Sequence, residues 1–182
     1  MKKIFISILI LVSFTFPIMA QSDAESPEKY LADAQQGKSG AQNMLGIAYA
    51  EGLGTKADNA EGVKWFRKSA EQGNVFGACN LGLHYGRGSG IKKDKVMAMK
   101  WSYISNSLDS LKCHPDDFVA YFKPTKSQIS TGWKLAIEWL KAHPDLDNNF
   151  RQKPWMDQGE WPVTLRQRSV PSKNFAKPNK KK

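Results

Sequence analysis

The side chains that could carry out chemistry in this chain include three histidines and a pair of adjacent acids. His84 lies inside a predicted helix, whereas His114 and His143 each precede a proline, which is typical of helix boundaries. None of the three has a Glu or Cys at a convincing metal-site spacing. Asp116 and Asp117 could form a catalytic dyad, but they are predicted to lie at the start of a helix. Adjacent acids are favoured there by the helix dipole alone. We therefore expect structural or solvent-exposed roles for all five.

Several motifs of common catalytic sites are absent from the sequence. It contains no Gly-x-Ser-x-Gly elbow, no His-Glu-x-x-His and no complete Gly-x-x-x-x-Gly-Lys-Ser/Thr phosphate loop. The glycine-rich run 86–90 follows a predicted helix and not a strand, which favours a turn over a phosphate cradle. Cys113 and His114 are sequence neighbours, which rarely reach nucleophile-to-base geometry. We predict a non-enzymatic protein with no catalytic residue, no metal site and no cofactor.

The elements that carry these residues belong to an internal repeat with a period of 36 residues. Segment 37–70 matches segment 73–106 without gaps, mainly at Gly, Leu, Tyr and Trp. A period between about 20 and 50 residues indicates a stacked array of small structural units. The matches are Gly37/Gly73, Leu45/Leu81, Gly46/Gly82, Tyr49/Tyr85, Gly52/Gly88, Gly54/Gly90, Lys56/Lys92, Asp58/Asp94, Lys64/Lys100, Trp65/Trp101 and Ser69/Ser105.

Each unit is predicted to be a hairpin of two helices. Small and apolar residues recur at helical spacing between Ala41 and Gly52, which predicts a first helix with one buried face. Gly46 within it costs about 1 kcal/mol relative to Ala, a tolerable cost where a neighbouring backbone must come close. Asp58 is placed to cap a second helix that Gly73 ends.

The first copy contains the pattern Ala-x-x-x-Leu-Gly-x-x-Tyr-x-x-Gly-x-Gly, followed by Asp, Lys-Trp and Ala-x-x-Gly. This pattern resembles the Sel1-like repeat, a relative of the tetratricopeptide repeat. The resemblance implies an all-α fold, a short α/α solenoid with a half-repeat at 26–36 and repeats at 37–72 and 73–108. It also implies an adaptor or scaffold that binds protein partners on its concave side. The second copy departs from the pattern at Gly77 and Asn106, where the repeat has alanines.

A degenerate unit and a capping helix are predicted to close the solenoid, which would then occupy residues 21–143. The degenerate first helix is expected from Pro115 to Phe122. A capping-box sequence at Thr125 begins the final helix, and Pro144 prevents it from continuing.

Residues 1–20 have the pattern of a secretory signal peptide. Lys2 and Lys3 precede an apolar run that ends at Ile18, which is shorter than the roughly 20 residues needed to span a bilayer. We expect cleavage after Ala20 and delivery to a bacterial periplasm, with release outside the cell as the alternative.

An oxidising compartment would permit a disulfide between the two cysteines of the chain, Cys79 and Cys113. The repeat register places Cys113 on the helix stacked next to the one that carries Cys79. Two separately buried thiols are the alternative, and the sequence alone does not choose between them.

The basic charge is concentrated in a C-terminal extension, residues 144–182. Residues 21–150 carry a net charge of +1, whereas 151–182 carry +7. A nearly neutral body argues against a nucleic-acid partner. Near an anionic membrane the basic residues of the extension would permit weak contact, at about 1 kcal/mol each.

The extension also contains five prolines, which prevent a long helix. Trp155 and Trp161 are costly to leave in water, so they are expected to pack back on the solenoid or to anchor a partner. Disorder is expected from about residue 166.

Partner-binding candidates are the residues of the first helices that lie out of phase with the buried stripe. Ile47 and Leu83 are apolar residues on a face that we expect to be partly solvated. Asn43, Glu51 and Arg87 would supply polar specificity. Packing against a neighbouring helix or the C-terminal extension is the alternative role of these residues.

Three functions are compatible with these observations. The first is an exported, non-enzymatic module that binds a partner protein through its concave helical surface. The second, suggested by small exported members of the family, is a periplasmic immunity protein that neutralises a secreted antibacterial toxin such as a phospholipase effector. The third is an envelope-surface protein attached through its basic extension.

Export provides the first testable prediction. When the full-length chain is produced in a bacterial host and recovered from the periplasm, its intact mass should correspond to a protein that begins at Gln21. Replacing Ala20 with a bulky residue should block this cleavage. A periplasmic protein that retains Met1 would contradict the prediction.

Overall fold

The structure, a computed structural model, describes residues 26–109 and 113–146, and within these two ranges the chain forms seven α-helices and no strand. The all-α prediction is thereby confirmed. The predicted signal peptide and the extension beyond residue 146, with Trp155 and Trp161, lie outside the described residues. The helices are α1 (Pro27–Gln35), α2 (Ser39–Glu51), α3 (Asn59–Glu71), α4 (Val75–Arg87), α5 (Lys95–Leu108), α6 (Pro115–Phe122) and α7 (Lys126–Ala142).

The helices are arranged as stacked hairpins. Helix α2 packs against α3, and α4 packs against α5, while α3 also contacts α4 and so joins the two hairpins. We call the first helix of each hairpin (α2, α4 and the equivalent α6) an A helix, and the second (α3 and α5) a B helix. The final helix α7 packs on the B helix α5, as expected for a helix that closes a solenoid. None of the helices in the described ranges is long and apolar enough to cross a membrane.

The ends of the helices follow local sequence signals. The Asp58 carboxylate accepts hydrogen bonds from the N–H groups of Ala60 and Glu61 at 2.9 and 3.0 Å. Asp94 caps α5 in the same way. Helices α2 and α4 end at Gly52 and Gly88, whose φ angles of 73° and 74° lie in the left-handed region that glycine tolerates best.

The two helices of the first hairpin cross with their backbones in close contact. A Cβ atom on Gly62 would lie 2.8 Å from the Gly46 carbonyl oxygen, and one on Gly46 would lie 2.7 Å from the Phe66 ring. The expectation that Gly46 allows a neighbouring backbone to approach is therefore confirmed. At the other end of the array, Gly132 of α7 has the same function, since its Cβ would lie 2.9 Å from the Val96 carbonyl oxygen of α5.

The serines matched by the repeat have equivalent hydrogen bonds. The Ser69 hydroxyl donates to the Ser39 carbonyl oxygen at 2.7 Å, and the Ser105 hydroxyl donates to that of Val75 at 2.9 Å. Each bond joins the end of a B helix to the first residue of its own A helix. Both serine side chains are fully buried, and a buried hydroxyl group without a hydrogen bond would lower the stability of the fold. These bonds therefore also satisfy the two hydroxyl groups.

The main hydrophobic core runs continuously from α3 to α7. Phe66, Tyr103, Phe118 and Trp133 are among its largest fully buried side chains, and the Tyr103 and Trp133 rings meet edge to face with centroids 5.1 Å apart. A smaller cluster around Leu45 packs beneath α1. The half-repeat α1 therefore covers the N-terminal end of the array, as α7 covers the other end.

Helices α6 and α7 begin and end close to the predicted residues. His114 is the N-cap of α6, its ring accepting from the Asp116 N–H at 3.3 Å, and Asp116 and Asp117 lie in the first turn. Thr125 forms the predicted capping box of α7, which ends at Ala142 with His143 as its C-cap. The helix-boundary roles predicted for these residues are confirmed.

A disulfide joins Cys79 of α4 to Cys113, with 5.8 Å between their Cα atoms. Both residues are buried, at 6% and 2% exposure. The prediction that Cys113 lies on a helix is wrong, because Pro115 occupies the first turn of α6 and places Cys113 before its N-cap. The bridge therefore ties the middle of α4 to the chain segment that enters α6.

Removing this bridge should destabilise the protein. For a loop of 34 residues, the lost constraint on the unfolded chain is worth about 3 to 4 kcal/mol. The Cys79→Ala/Cys113→Ala variant should lose about this much free energy of unfolding in urea. A reductant should lower the stability of the wild type alone, and a wild type insensitive to reductant would contradict the bridge.

Candidate functional site

Equivalent residues of the two full A helices form one continuous surface. Residues at spacing i, i+4, i+7 and i+11 lie on one side of a helix. This spacing, carried from α2 to α4 by the 36-residue period, defines the surface that we call the A-face. Its members are Gly40, Met44, Ile47 and Glu51 of α2, and Phe76, Asn80, Leu83 and Arg87 of α4.

The A-face contains the large apolar side chains that are exposed within the described residues. Met44 is 38% exposed and Phe76 is 53% exposed. Met44 lies near the middle of α2, and Phe76 lies in the first turn of α4. Exposed apolar side chains on one face favour an interaction surface, since their burial against a partner is favourable.

Toward the C-terminal ends of the same helices, the A-face forms the wall of a groove. A cavity of about 140 Å³ lies between α2 and α4, lined by Ile47, Leu83 and Phe66 among others. A larger cavity of about 870 Å³ extends from it to Tyr121 and Phe122 of α6. We call the two cavities together the groove, because both are lined by Ala50, Glu51, His84 and Arg87.

The structure brings four of the five predicted binding residues of the A helices together. Ile47, Glu51, Leu83 and Arg87 all line the groove, although in sequence the two pairs lie far apart. Asn43 does not line it: it is only 6% exposed, and its side-chain oxygen accepts from the Asn80 amide at 2.9 Å. Asn43 thus joins α2 to α4.

Leu83 differs from the expectation in its exposure. It belongs to the main core and is 5% exposed, so the prediction that it lies on a partly solvated face is wrong. Ile47 is half-buried and packs against the same core. The reason is that neighbouring A helices stack closely enough to cover most of these side chains. Whether these residues bind a partner stays a prediction.

His84 is the groove residue whose position the sequence did not reveal. In the 36-residue register His84 takes the place of Ala48, a fully buried residue of α2. This replacement of a buried alanine by a histidine was the sequence signal that could have identified it. Its ring lies 5.2 Å from that of Phe66, and its Nδ1 is 2.8 Å from the Ser89 carbonyl oxygen. Burial lowers the pKa of His84, and Arg87 lowers it further, against the opposing effect of the Ser89 carbonyl.

The lining of the groove combines apolar and charged side chains. Ile47 and Leu83 contribute the apolar part, and Glu51, Arg87 and Lys93 contribute the charged part. Searched over the described residues, the chain has no cluster of three or more His, Cys, Asp or Glu side chains that could hold a metal.

The Sel1 repeat family matches residues 39–74 and 75–109. The two matched segments coincide with the hairpins α2–α3 and α4–α5. Residues 39–109 are two Sel1 repeats. The resemblance noted in the sequence is thereby confirmed, and with it the α/α solenoid fold. Sel1 repeat proteins are in general protein-interaction modules.

Two solved structures are similar to this chain. One is the crystal structure of c5321, a protective antigen present in uropathogenic Escherichia coli strains that displays an SLR fold. It has 26% identity and a TM-score of 0.63, over 69% of this chain and 27% of that one. The other is a Sel1 repeat protein from Oxalobacter formigenes, with 26% identity and a TM-score of 0.45, over 68% of this chain and 52% of that one.

The chain thus spans about a quarter of the first of these proteins and about half of the second. The comparison with curated proteins gives no match. The similarity to the first structure supports the shared repeat architecture.

The buried position of His84 predicts a pH dependence of stability. Because its pKa is lower in the folded protein than its ordinary value of about 6.5, the unfolded chain binds the proton more tightly. The contribution of neutral His84 to the free energy of unfolding is therefore fully present above about pH 6.5. It is lost as the pH falls through the lowered pKa of the folded protein. Urea unfolding at several pH values should show a smaller acid loss in His84→Gln than in the wild type. A Leu140→Ala variant, destabilised in α7 with the surroundings of His84 intact, should retain the full loss, and equal losses in all three proteins would contradict the assignment.

Proposed function

We propose that this chain is an exported Sel1 repeat protein that binds a segment of a partner protein along its A-face and in its groove. The observation that carries the proposal is the coincidence of two features on one side of the solenoid. The exposed apolar side chains of Met44 and Phe76 and the groove at Ile47 and Leu83 lie along the same stripes of α2 and α4. A bound peptide could contact both at once.

The energetics of such a surface are those of a small set of apolar anchors with a polar rim. Complete burial of a Met or Phe side chain contributes about 1.5 to 3 kcal/mol. Met44 and Phe76 each retain part of this contribution for a partner, since they are still exposed. Glu51 of α2 and Arg87 of α4, which both line the groove, supply charged groups that select and orient the ligand.

Export is the second part of the proposal. It is supported by the leader pattern of residues 1–20 and by the Cys79–Cys113 bridge, because disulfides persist mainly in oxidising compartments. A small repeat protein in the periplasm would meet envelope proteins and incoming toxins. The identity of the partner decides between an adaptor and an immunity protein.

A pair of matched substitutions tests the binding surface. The Met44→Asp variant places a charge on the exposed A-face, and Thr131→Asp places the same charge on an exposed position of α7. Affinity capture from envelope and secreted fractions should retain one stoichiometric partner on the wild type. Affinity for it should fall by about 10-fold or more in Met44→Asp, as for a loss of a binding anchor, and remain unchanged in Thr131→Asp.

Both variants should keep the helical circular dichroism and thermal midpoint of the wild type, because both positions are exposed. Equal affinity of the two variants for the partner would move the binding surface away from the A-face. The capture of no partner by the wild type would contradict the interaction function itself.

A further inference from the structure

The described part of the chain ends at the turn that leads into α4. Beyond α7, the Leu146 N–H donates to the His143 carbonyl oxygen at 3.2 Å. The Leu146 side chain packs on Gly73, where a Cβ atom would lie 2.9 Å from Leu146 Cδ1. Gly73 lies in the turn between α3 and α4, three residues before Phe76. The C-terminal extension therefore departs from the turn that leads into α4, whose second residue is Phe76.

The extension is long enough to cover the whole of that face. Helix α4 has 13 residues and is about 20 Å long. The eight residues from Leu146 to Pro154 can span up to about 26 Å when extended. Residues 154–163 can thus reach any point between Phe76 and the groove.

The chemistry of residues 154–163 complements the A-face and the groove. This stretch contains Trp155 and Trp161, bounded by Pro154 and Pro162, and its charged residues are Asp157 and Glu160 with no Lys or Arg. Asp157 and Glu160 are the acids of residues 151–182, which otherwise carry nine Lys and Arg residues.

The groove provides the opposite arrangement. Its mouth contains the cations Arg87 and Lys93 with one acid, Glu51, and its walls are apolar at Ile47 and Leu83. Two aromatic anchors flanking two carboxylates match an apolar surface with two nearby cations.

We propose that residues 154–163 dock on the A-face of their own chain. Trp155 covers the exposed side chains of Met44 and Phe76, and Trp161 enters the groove beside Ile47. Asp157 and Glu160 then face Arg87 and Lys93. The segment is an intramolecular ligand, and its local concentration is high because it is tethered at Leu146.

The consequence for function is autoinhibition. A partner that uses the A-face must displace the segment, so its apparent affinity falls by the fraction of chains in which the face is free. This consequence rests on the proposed function, whereas the docking itself does not.

Site-specific photo-cross-linking of the purified full-length protein tests the docking without any partner. A Phe76→p-benzoylphenylalanine substitution keeps an aromatic side chain at an exposed position, and the same residue at Lys134, exposed on α7, is the control. After irradiation, position 76 should cross-link to a peptide within 154–163 at monomer mass. The yield should not change over a tenfold dilution, and position 134 should give at least about fivefold less of this product.

A second comparison uses matched substitutions in the extension. Trp155→Ala/Trp161→Ala should lower the cross-link from position 76 by about fivefold or more. Val170→Ala/Phe175→Ala, which removes apolar side chains outside the segment, should leave it unchanged.

Three results would overturn the proposal. They are equal yields from positions 76 and 134, a cross-link to a part of the chain outside 154–163, and a cross-link between two chains that increases with concentration. The last result would assign the A-face to a second copy of the protein. Each is distinct from a failure of the proposed function, which is measured by partner capture with an intact A-face.

Discussion

The close crossing of the two helices within each hairpin is the constraint on which the rest of the structure depends. In the first repeat, Gly46 and Gly62 bring α2 and α3 into backbone contact. In the second repeat Ala98 stands at the position of Gly62, and a Cβ on Gly82 would lie 3.2 Å from its carbonyl oxygen. The repeat serines add a hydrogen bond to the first carbonyl of the A helix in each closely packed hairpin. The shared geometry of the hairpins then sets how successive hairpins stack.

The B side and the A side of the solenoid end in helices of different length, and this difference creates the candidate site. On the B side, the 17-residue helix α7 packs on α5 and buries Trp133 and Leu140. On the A side, the third helix is the eight-residue α6, which the disulfide holds beside α4. The short helix α6 lines one end of the groove, and Met44 and Phe76 of the A-face are exposed.

The roles of residues that contact only nearby residues in sequence were predictable. Asp58, Asp94 and Thr125 cap helices because a capping side chain bonds to N–H groups two or three residues away. The residues whose roles depend on distant parts of the chain were not. Leu83 is buried by stacking between hairpins, and His84 meets Phe66 from the preceding repeat.

The sequence by itself determined the repeat, its helical hairpins and the ends of its helices, since a 36-residue period and local caps are readable without any long-range contact. It also identified Ile47, Glu51 and Arg87 as neighbours on one side of the array. Only the tertiary structure decided that Cys79 and Cys113 pair, and that the groove extends to α6. The physical reason is that α6 departs from the repeat, so its position is fixed by packing between elements and not by the periodic pattern.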